Sequence, residues 1–351
     1  MAGVDLMQDQ LAKIEQSELP IFSQDWWINI ARGSSDYCES KVVRGDVVVG
    51  RLPYLLSRST RLHLRRGQDL HWSHLGGPIL DQRLNREEKA EVIRSLVEQL
   101  PRVSSFSIVC HPELSYADLV KQAFRQAGFT HQTQVTYVRY PSDDDVLSAR
   151  KSKHRGHFKR AAKALECVNI SAAEFVEFYQ ANLNARGKRS YSPVSTMKSL
   201  IEEAVSRGQA RVIAAKRNSC GKDEPALYDA AIVYLWDKTR CYFWLSTRRF
   251  SSRDKSNEKP HPDAIKLLAV KAMEDAGARN LIFDADGVAT PGAEYLYRHI
   301  FGLRMQRRDV FRRETAFGRF HQSCLQYFKV LLPNFGGIAL VGNIAADILL
   351  S

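Results

Sequence analysis

Apolar residues recur along this chain with two periods. Short runs that are apolar throughout, or that alternate with polar residues, follow the strand pattern. Between them apolar residues return every third or fourth position, which is the helix pattern. The first period predicts strands near Tyr37–Val43, Val47–Leu55, Ser105–Cys110, Gln132–Tyr140, Ala210–Lys216, Ala226–Trp236, Arg240–Ser246, Asn280–Asp284 and Arg304–Arg312. The second predicts helices at WWINIARG with Ser23 as N-cap, at Arg86–Gln99, Tyr116–Ala127, Thr196–Ser206 and Asp263–Ala276. In Thr196–Ser206, Met197, Leu200, Ile201, Ala204 and Val205 share one face. Arg44-Gly45-Asp46 reads as a hairpin turn. Ser171 with Glu174 is a capping box, and Thr290-Pro291 offers an N-cap followed by proline at the first helical position. Ser142, ahead of three aspartates, is expected to cap a helix that runs on into a basic segment.

The pattern repeats. NLIFDADGVATPGAEYLYRHIFG (Asn280–Gly302) and FSIVCHPELSYADLVKQAFRQAG (Phe106–Gly128) share one plan: strand, polar turn, helix with aromatics, glycine, new strand. Cys110 to Asp284 and Gly128 to Gly302 are both separated by 174 positions, and the helix at 86–99 moved by the same offset falls on another helix. A duplicated α/β (α+β) unit is expected, each copy a mixed, mainly antiparallel sheet flanked by helices. The boundaries are 1–141, 142–315 with the chemistry, and 316–351 as a C-terminal helix and apolar tail.

Charge narrows the partners. The net charge is +12 and the pI about 9.4, which favours a polyanionic partner. Seven Lys or Arg and no acid lie between Arg150 and Lys163, and Arg307, Arg308, Arg312 and Arg313 form a second group. Six scattered cysteines without a CxxC pair read as reduced thiols and give no zinc site. The first residues lack the basic and apolar regions of a secretory signal, so the expected compartment is cytoplasmic. No apolar run reaches the roughly 18 residues of a membrane span. The tail from Phe328 is expected to pack on the second half, with contact at the inner membrane face as the alternative.

Several segments carry a resemblance. VVVGRLPYLL and LGGPIL lie in the first half, KHRGHFKRAAKALECVNI in the middle, and PHPDAIKLLAVKAMEDAGARNLIFDADG with YLYRHIFG in the second. Their order, from about Trp26 to Arg313, resembles the Fem-type peptidyltransferases and related proteins of the GNAT-like acyltransferase superfamily. The resemblance implies tandem GNAT-like domains and transfer of an acyl or aminoacyl group to an amine. It suggests an acceptor such as a nucleotide- or lipid-linked amino sugar of envelope polysaccharide or peptidoglycan. The implied donor is acyl-CoA or an acyl-carrier protein, and for some members aminoacyl-tRNA. Two departures stand out: the family's lysine before the FG pair is Arg298, and no glycine lies between Ser246 and Pro262 to build the usual CoA-cradling loop.

Candidate chemistry sits mainly in the second copy. Asp284 and Asp286 end a strand, where sites gather in sheet enzymes, and one of them is expected to manage the amine proton. Turn formation by Asp286-Gly287 is the plainer alternative. Arg298 is assigned the oxyanion, and Tyr297 beside it a substrate contact, against surface and core roles respectively. Lys151, Arg155, Lys159 and Arg160 are expected to meet phosphates, and Gly76 and Gly77 to let the backbone approach a substrate. The His71/His74 and His154/His157 pairs lack a third ligand at metal spacing, and Cys167 and Cys241 read as buried. The alternatives to an amine acyltransferase using a thioester or ester donor are an aminoacyl-tRNA-dependent peptidyltransferase and a non-catalytic nucleic-acid-binding protein.

Overall fold

The computed structural model describes residues 18–33, 36–58, 65–144, 152–190, 192–218, 228–250, 259–287 and 290–316. Lys151, most of the loop before Pro260 and the apolar tail lie outside them. In the first half, α1 (Asp25–Ala31) precedes the hairpin β1 (Tyr37–Arg44) and β2 (Val47–Arg58). Then come β3 (Arg65–Gln68), β4 (Ile79–Leu80), α2 (Arg86–Glu98), β5 (Ser105–Val109), α3 (Ala117–Gln126) and β6 (Thr130–Arg139). The second half holds α4 (Ser152–Ala164), β7 (Leu165–Asn169), α5 (Ala172–Ala185), α6 (Val194–Ser206), β8 (Ala210–Arg217), β9 (Tyr228–Trp236) and β10 (Arg240–Arg248). It closes with α7 (Ala264–Ala278), β11 (Ile282–Asp284), α8 (Pro291–Tyr295) and β12 (Arg304–Glu314).

The strands form one mixed sheet in the order β1-β2-β3-β5-β12-β6-β11-β10-β9-β8-β7, with β4 beside β2. Only β3–β5 and β10–β11 pair in parallel; the other named pairs are antiparallel. The two halves do not own separate sheets. β12, the last strand of the second, lies between β5 and β6 of the first, and β6 pairs with β11 of the second. The N-terminal α1 likewise packs against α6. The boundary at 141/142 therefore divides the sequence repeat but not the sheet.

Local chemistry explains most of the elements. β1 and β2 close over Gly45, whose φ of +61° suits a residue without a Cβ. Ser171 and Glu174 make the reciprocal capping box, and Thr290 Oγ1 accepts from Ala293 N. A second capping box, Asn85 with Glu88, starts α2. Three expectations are corrected. Ser23 lies in a 3-10 turn, and Gln24 precedes α1, its side chain engaged by Trp26 Nε1. Ser142 sits in a turn closed by Asp143, whose carboxylate accepts from Tyr140 N at 2.9 Å, so no helix starts there. Val205 faces solvent at 46% exposure, because α6 presents only Met197, Leu200, Ile201 and Ala204 to the core.

Apolar burial divides into three clusters. α2 and α3 cover the first half. In the second half α4 and α7 cover one face, and α1, α5 and α6 cover the other. β9 is consequently buried on both faces, which accounts for its unbroken apolar run. Among the described residues no helix is long and apolar enough to cross a membrane.

Candidate active site

The parallel pair β10–β11 is in register only from Arg240–Ile282 to Tyr242–Asp284. Beyond that point β11 ends while β10 runs on to Arg248, its pairing with β9 shifted between Tyr242 and Leu245. A polar cluster occupies the point where the strands part. Asp284 is fully buried; its Oδ1 accepts from Thr136 Oγ1 at 2.5 Å and from Asp286 N at 2.8 Å. Its Oδ2 accepts from Arg240 at 2.6 Å and Arg308 at 2.9 Å. Burial pushes this carboxyl up, but Arg308 and Arg240 pull it further down, below its ordinary range. Arg308 also donates to Asp286 Oδ1 at 3.0 Å, and Arg240 to Glu113 Oε1 at 2.5 Å.

Asp286 has a φ of +59°, fixed by Asp286 N on Asp284 and Gly287 N on Thr136 Oγ1. Aspartate tolerates this left-handed conformation better than most residues. Its second oxygen, Oδ2, meets His74 Nδ1. His74 comes from the first half, on the loop between β3 and β4. That loop is held on several sides: Trp244 Nε1 donates to Trp72 O, Trp72 Nε1 to Pro193 O, and Trp27 Nε1 to Ser73 Oγ. Gly76 N donates to Val109 O at 2.6 Å. The His74 ring stacks on Phe22 at 6.1 Å. Trp72, at φ +61°, is a second non-glycine residue in the left-handed region, so both sides of the His74–Asp286 contact carry one.

The expected site residues separate into three groups. Asp284 is no proton acceptor: it is buried, paired with two guanidiniums and already receives four hydrogen bonds. Asp286 belongs to the cluster but has both oxygens engaged. Tyr297 lies near both carboxylates, and burial with their charge pushes its phenol up to about 12. Arg298 is exposed on the single π-turn (Leu296–Ile300) that follows α8, with its charge felt at Tyr137.

Gly76 and Gly77 seat the loop. A Cβ on Gly76 would fall 2.1 Å from Asp69 Oδ1, and Gly77 has φ +113° with Cys110 Sγ 3.1 Å from its would-be Cβ. Arg155, Lys159 and Arg160 are exposed along α4, which buries Phe158 and Ala161 instead. Arg308, grouped by sequence with the surface cations, is buried at 1% exposure.

No family model and no curated protein matches this chain. Solved structures do. The crystal structure of FemX aligns at 12% identity and a TM-score of 0.60, over 84% of this chain and 93% of that one. The C-terminal domain of a putative lysylphosphatidylglycerol synthetase from Agrobacterium fabrum aligns at 13% identity and 0.48, over 82% and 87%. A conserved protein of unknown function from Bacteroides thetaiotaomicron aligns at 10% and 0.48, over 81% and 88%. The fold is Fem-type and GNAT-like.

In a Fem-type fold two places merit comparison. One is the parting of β10 and β11 just described. The other is its counterpart in the first copy, a cavity of about 370 Å³ beyond β5 whose lining includes His111, Glu113, Tyr116, Lys89 and Thr239. His111 there is a brace. Its Nδ1 accepts from Glu113 N, its Nε2 bonds Tyr242 OH at 3.1 Å, and Tyr242 donates to Asp237. Burial, then Arg240 and Arg308, push His111 down to about 3, so it stays neutral and structural. Sequence reading named His74 only to set aside a metal role, and missed Arg240 and Glu113. No motif marks them, since each reaches the cluster from a separate strand end or loop. Among the described residues no group of three or more His, Cys, Asp or Glu can hold a metal ion.

Proposed function

We propose that this protein transfers an acyl group from a thioester or ester donor to an amine. One observation carries the reading: in a Fem-type fold, the parallel strands β10 and β11 part directly over a charged, largely buried cluster. A reacting carbonyl at this strand end would meet fixed charges that act without solvent reorganisation. Tyr297, whose phenol burial and the two carboxylates push up to about 12, is our candidate hydrogen-bond donor to the substrate.

The donor is unlike acyl-CoA held in the usual way. Asp263 occupies the N-cap of α7. Burial raises its carboxyl, but Lys266 and then His157 outweigh that, and it is lowered and charged. A carboxylate at that helix end opposes a diphosphate. The exposed cations Arg155, Lys159 and Arg160 on the neighbouring α4 supply an alternative contact for phosphates on the acceptor or donor. A nucleotide- or lipid-linked amino sugar is the acceptor class we favour, following the resemblance.

The test pairs UDP-glucosamine with acetyl-CoA, an acyl-carrier-protein thioester and aminoacyl-tRNA in turn, and reads the amide product by mass spectrometry. Product with any donor supports acyl transfer, and its identity separates the acyl from the aminoacyl reading. Absence of product with all three, together with a salt-steep affinity for RNA, would favour a nucleic-acid-binding role instead.

A further inference from the structure

The geometry points to His74 as the general base that takes the acceptor amine's proton, with Asp286 as its positioning residue; this assignment rests on the acyl-transfer reading. Both carboxylates proposed from sequence are unfit for the task, as each is already engaged by guanidinium. His74 is differently placed. Asp286 accepts from Arg308 through Oδ1, and its other carboxylate oxygen, Oδ2, offers His74 Nδ1 an acceptor. A hydrogen then sits on Nδ1, and in the neutral imidazole this leaves the Nε2 lone pair facing away from the carboxylate. Among the described residues Nε2 has no hydrogen-bond partner, and the side chain keeps 23% exposure against 1% for Asp286.

Other Asp–His contacts do not share this setting. His157 meets Asp263 at the start of α7, and His131 meets Asp309 across β6 and β12. Among the described Asp–His contacts, His74 alone joins one half's loop to the other half's parted strand end. The charged groups facing the pair are Asp286 itself, then Asp284, Arg308 and Arg240 behind it, with the neutral phenol of Tyr297 nearby.

Nε2 takes a proton from the amine as nitrogen bonds the carbonyl carbon. The carbon–sulfur or carbon–oxygen bond of the donor breaks, and the imidazolium returns the proton to the departing sulfur or oxygen.

The experiment compares wild type with His74→Gln on glucosamine and on hydroxylamine at neutral pH, where the first is largely an ammonium ion and the second largely neutral. The expected loss in kcat is about 10²–10⁴-fold with glucosamine and less than about tenfold with hydroxylamine. Imidazole added to His74→Ala should restore part of the glucosamine rate. Equal losses on both acceptors, or a loss under about tenfold on glucosamine, would overturn the role of His74 and leave acyl transfer standing. A wild type that acylates no amine from any of the three donors overturns both. A readout independent of turnover is the ¹⁵N spectrum of labelled histidines in the full chain. His74 should be the Nδ1–H tautomer, shifted in Asp286→Asn; an Nε2–H tautomer overturns the assignment by itself.

Discussion

Replacing Arg308 with methionine isolates the electrostatics of the central cluster. Methionine follows the arginine stem and is apolar, so packing changes little and the guanidinium is what is lost. Arg308 is 1% exposed and bonds Asp284 at 2.9 Å and Asp286 at 3.0 Å. Without it, Asp284 keeps Arg240 at 2.6 Å and Asp286 keeps His74 alone. One buried carboxylate is then left with a single guanidinium and the other with none. Removing one partner of a buried ion pair costs about 3–5 kcal/mol, a large part of an ordinary domain's stability. The pH dependence has a definite sign. Asp284 is held below its ordinary 3.8, so its pairing stabilises the fold above that value and is lost as pH falls through the folded-state pKa. The gap between wild type and Arg308→Met should be widest at neutral pH and narrow in acid. Guanidinium unfolding midpoints with an unchanged slope measure it. A neutral-pH loss below about 1 kcal/mol, the value of an exposed pair, would refute the view that this cluster is desolvated and coupled.

Three further outcomes follow from the same structure. Asp69 is buried, Val109 N is bonded to its Oδ2, and its Oδ1 has no partner; burial pushes it from 3.8 up to about 7. A raised carboxyl favours the fold below the unfolded value and loses that advantage as pH rises to the folded one, so Asp69→Asn should gain on wild type between them, by up to about 4 kcal/mol in thermal or denaturant unfolding. Gly76→Ala forces a Cβ to 2.1 Å from Asp69 Oδ1 and should cost about 1–3 kcal/mol while shifting the His74 loop, visible as a lowered unfolding midpoint. Changing Arg155, Lys159 and Arg160 together to glutamine should weaken UDP-glucosamine binding at low ionic strength, with calorimetry showing the difference fade at high salt.

Local signals were readable from sequence wherever they rest on near neighbours. The capping box at Ser171–Glu174, the Thr290-Pro291 start of α8 and the hairpin over Gly45 each involve residues a few positions apart. The sheet's unbroken strand β9 was equally plain, since burial on both faces leaves a continuous apolar run. Charge was less transparent. Arg308 and Arg307 are adjacent, yet strand alternation sends Arg308 into the cluster while Arg307 is part of the exposed pattern of β12. Arg313 likewise leaves the anion-binding group: its guanidinium donates to Pro101 O at 2.9 Å and lies over the Phe129 ring. His74 and Asp286 are 212 positions apart, and no spacing rule links a loop of one copy to a strand end of the other.

The duplication itself explains why the cluster lies where it does. The 174-position repeat relates Gln134 of β6 to Arg308 of β12, and the antiparallel register pairs these same two residues across the strands. A pseudo-twofold axis therefore passes through that pair, at the centre of the shared sheet. β5 and β11 are equivalent strands that end on opposite sides of this axis, so the residues after them, Glu113 and Asp286, converge on the middle from two directions. Each is met by a group from the other half: Glu113 by Arg240, Asp286 by His74. A symmetric ancestor would have placed identical side chains at both ends. Here the first copy carries Cys110 and Pro112 where the second has Asp284 and Asp286, and Gln134 where the second has Arg308. The pairing of β6 with β12 holds the two strand ends together, and the differences at these few positions leave one buried, charged and asymmetric centre, with the partly exposed His74 at its edge.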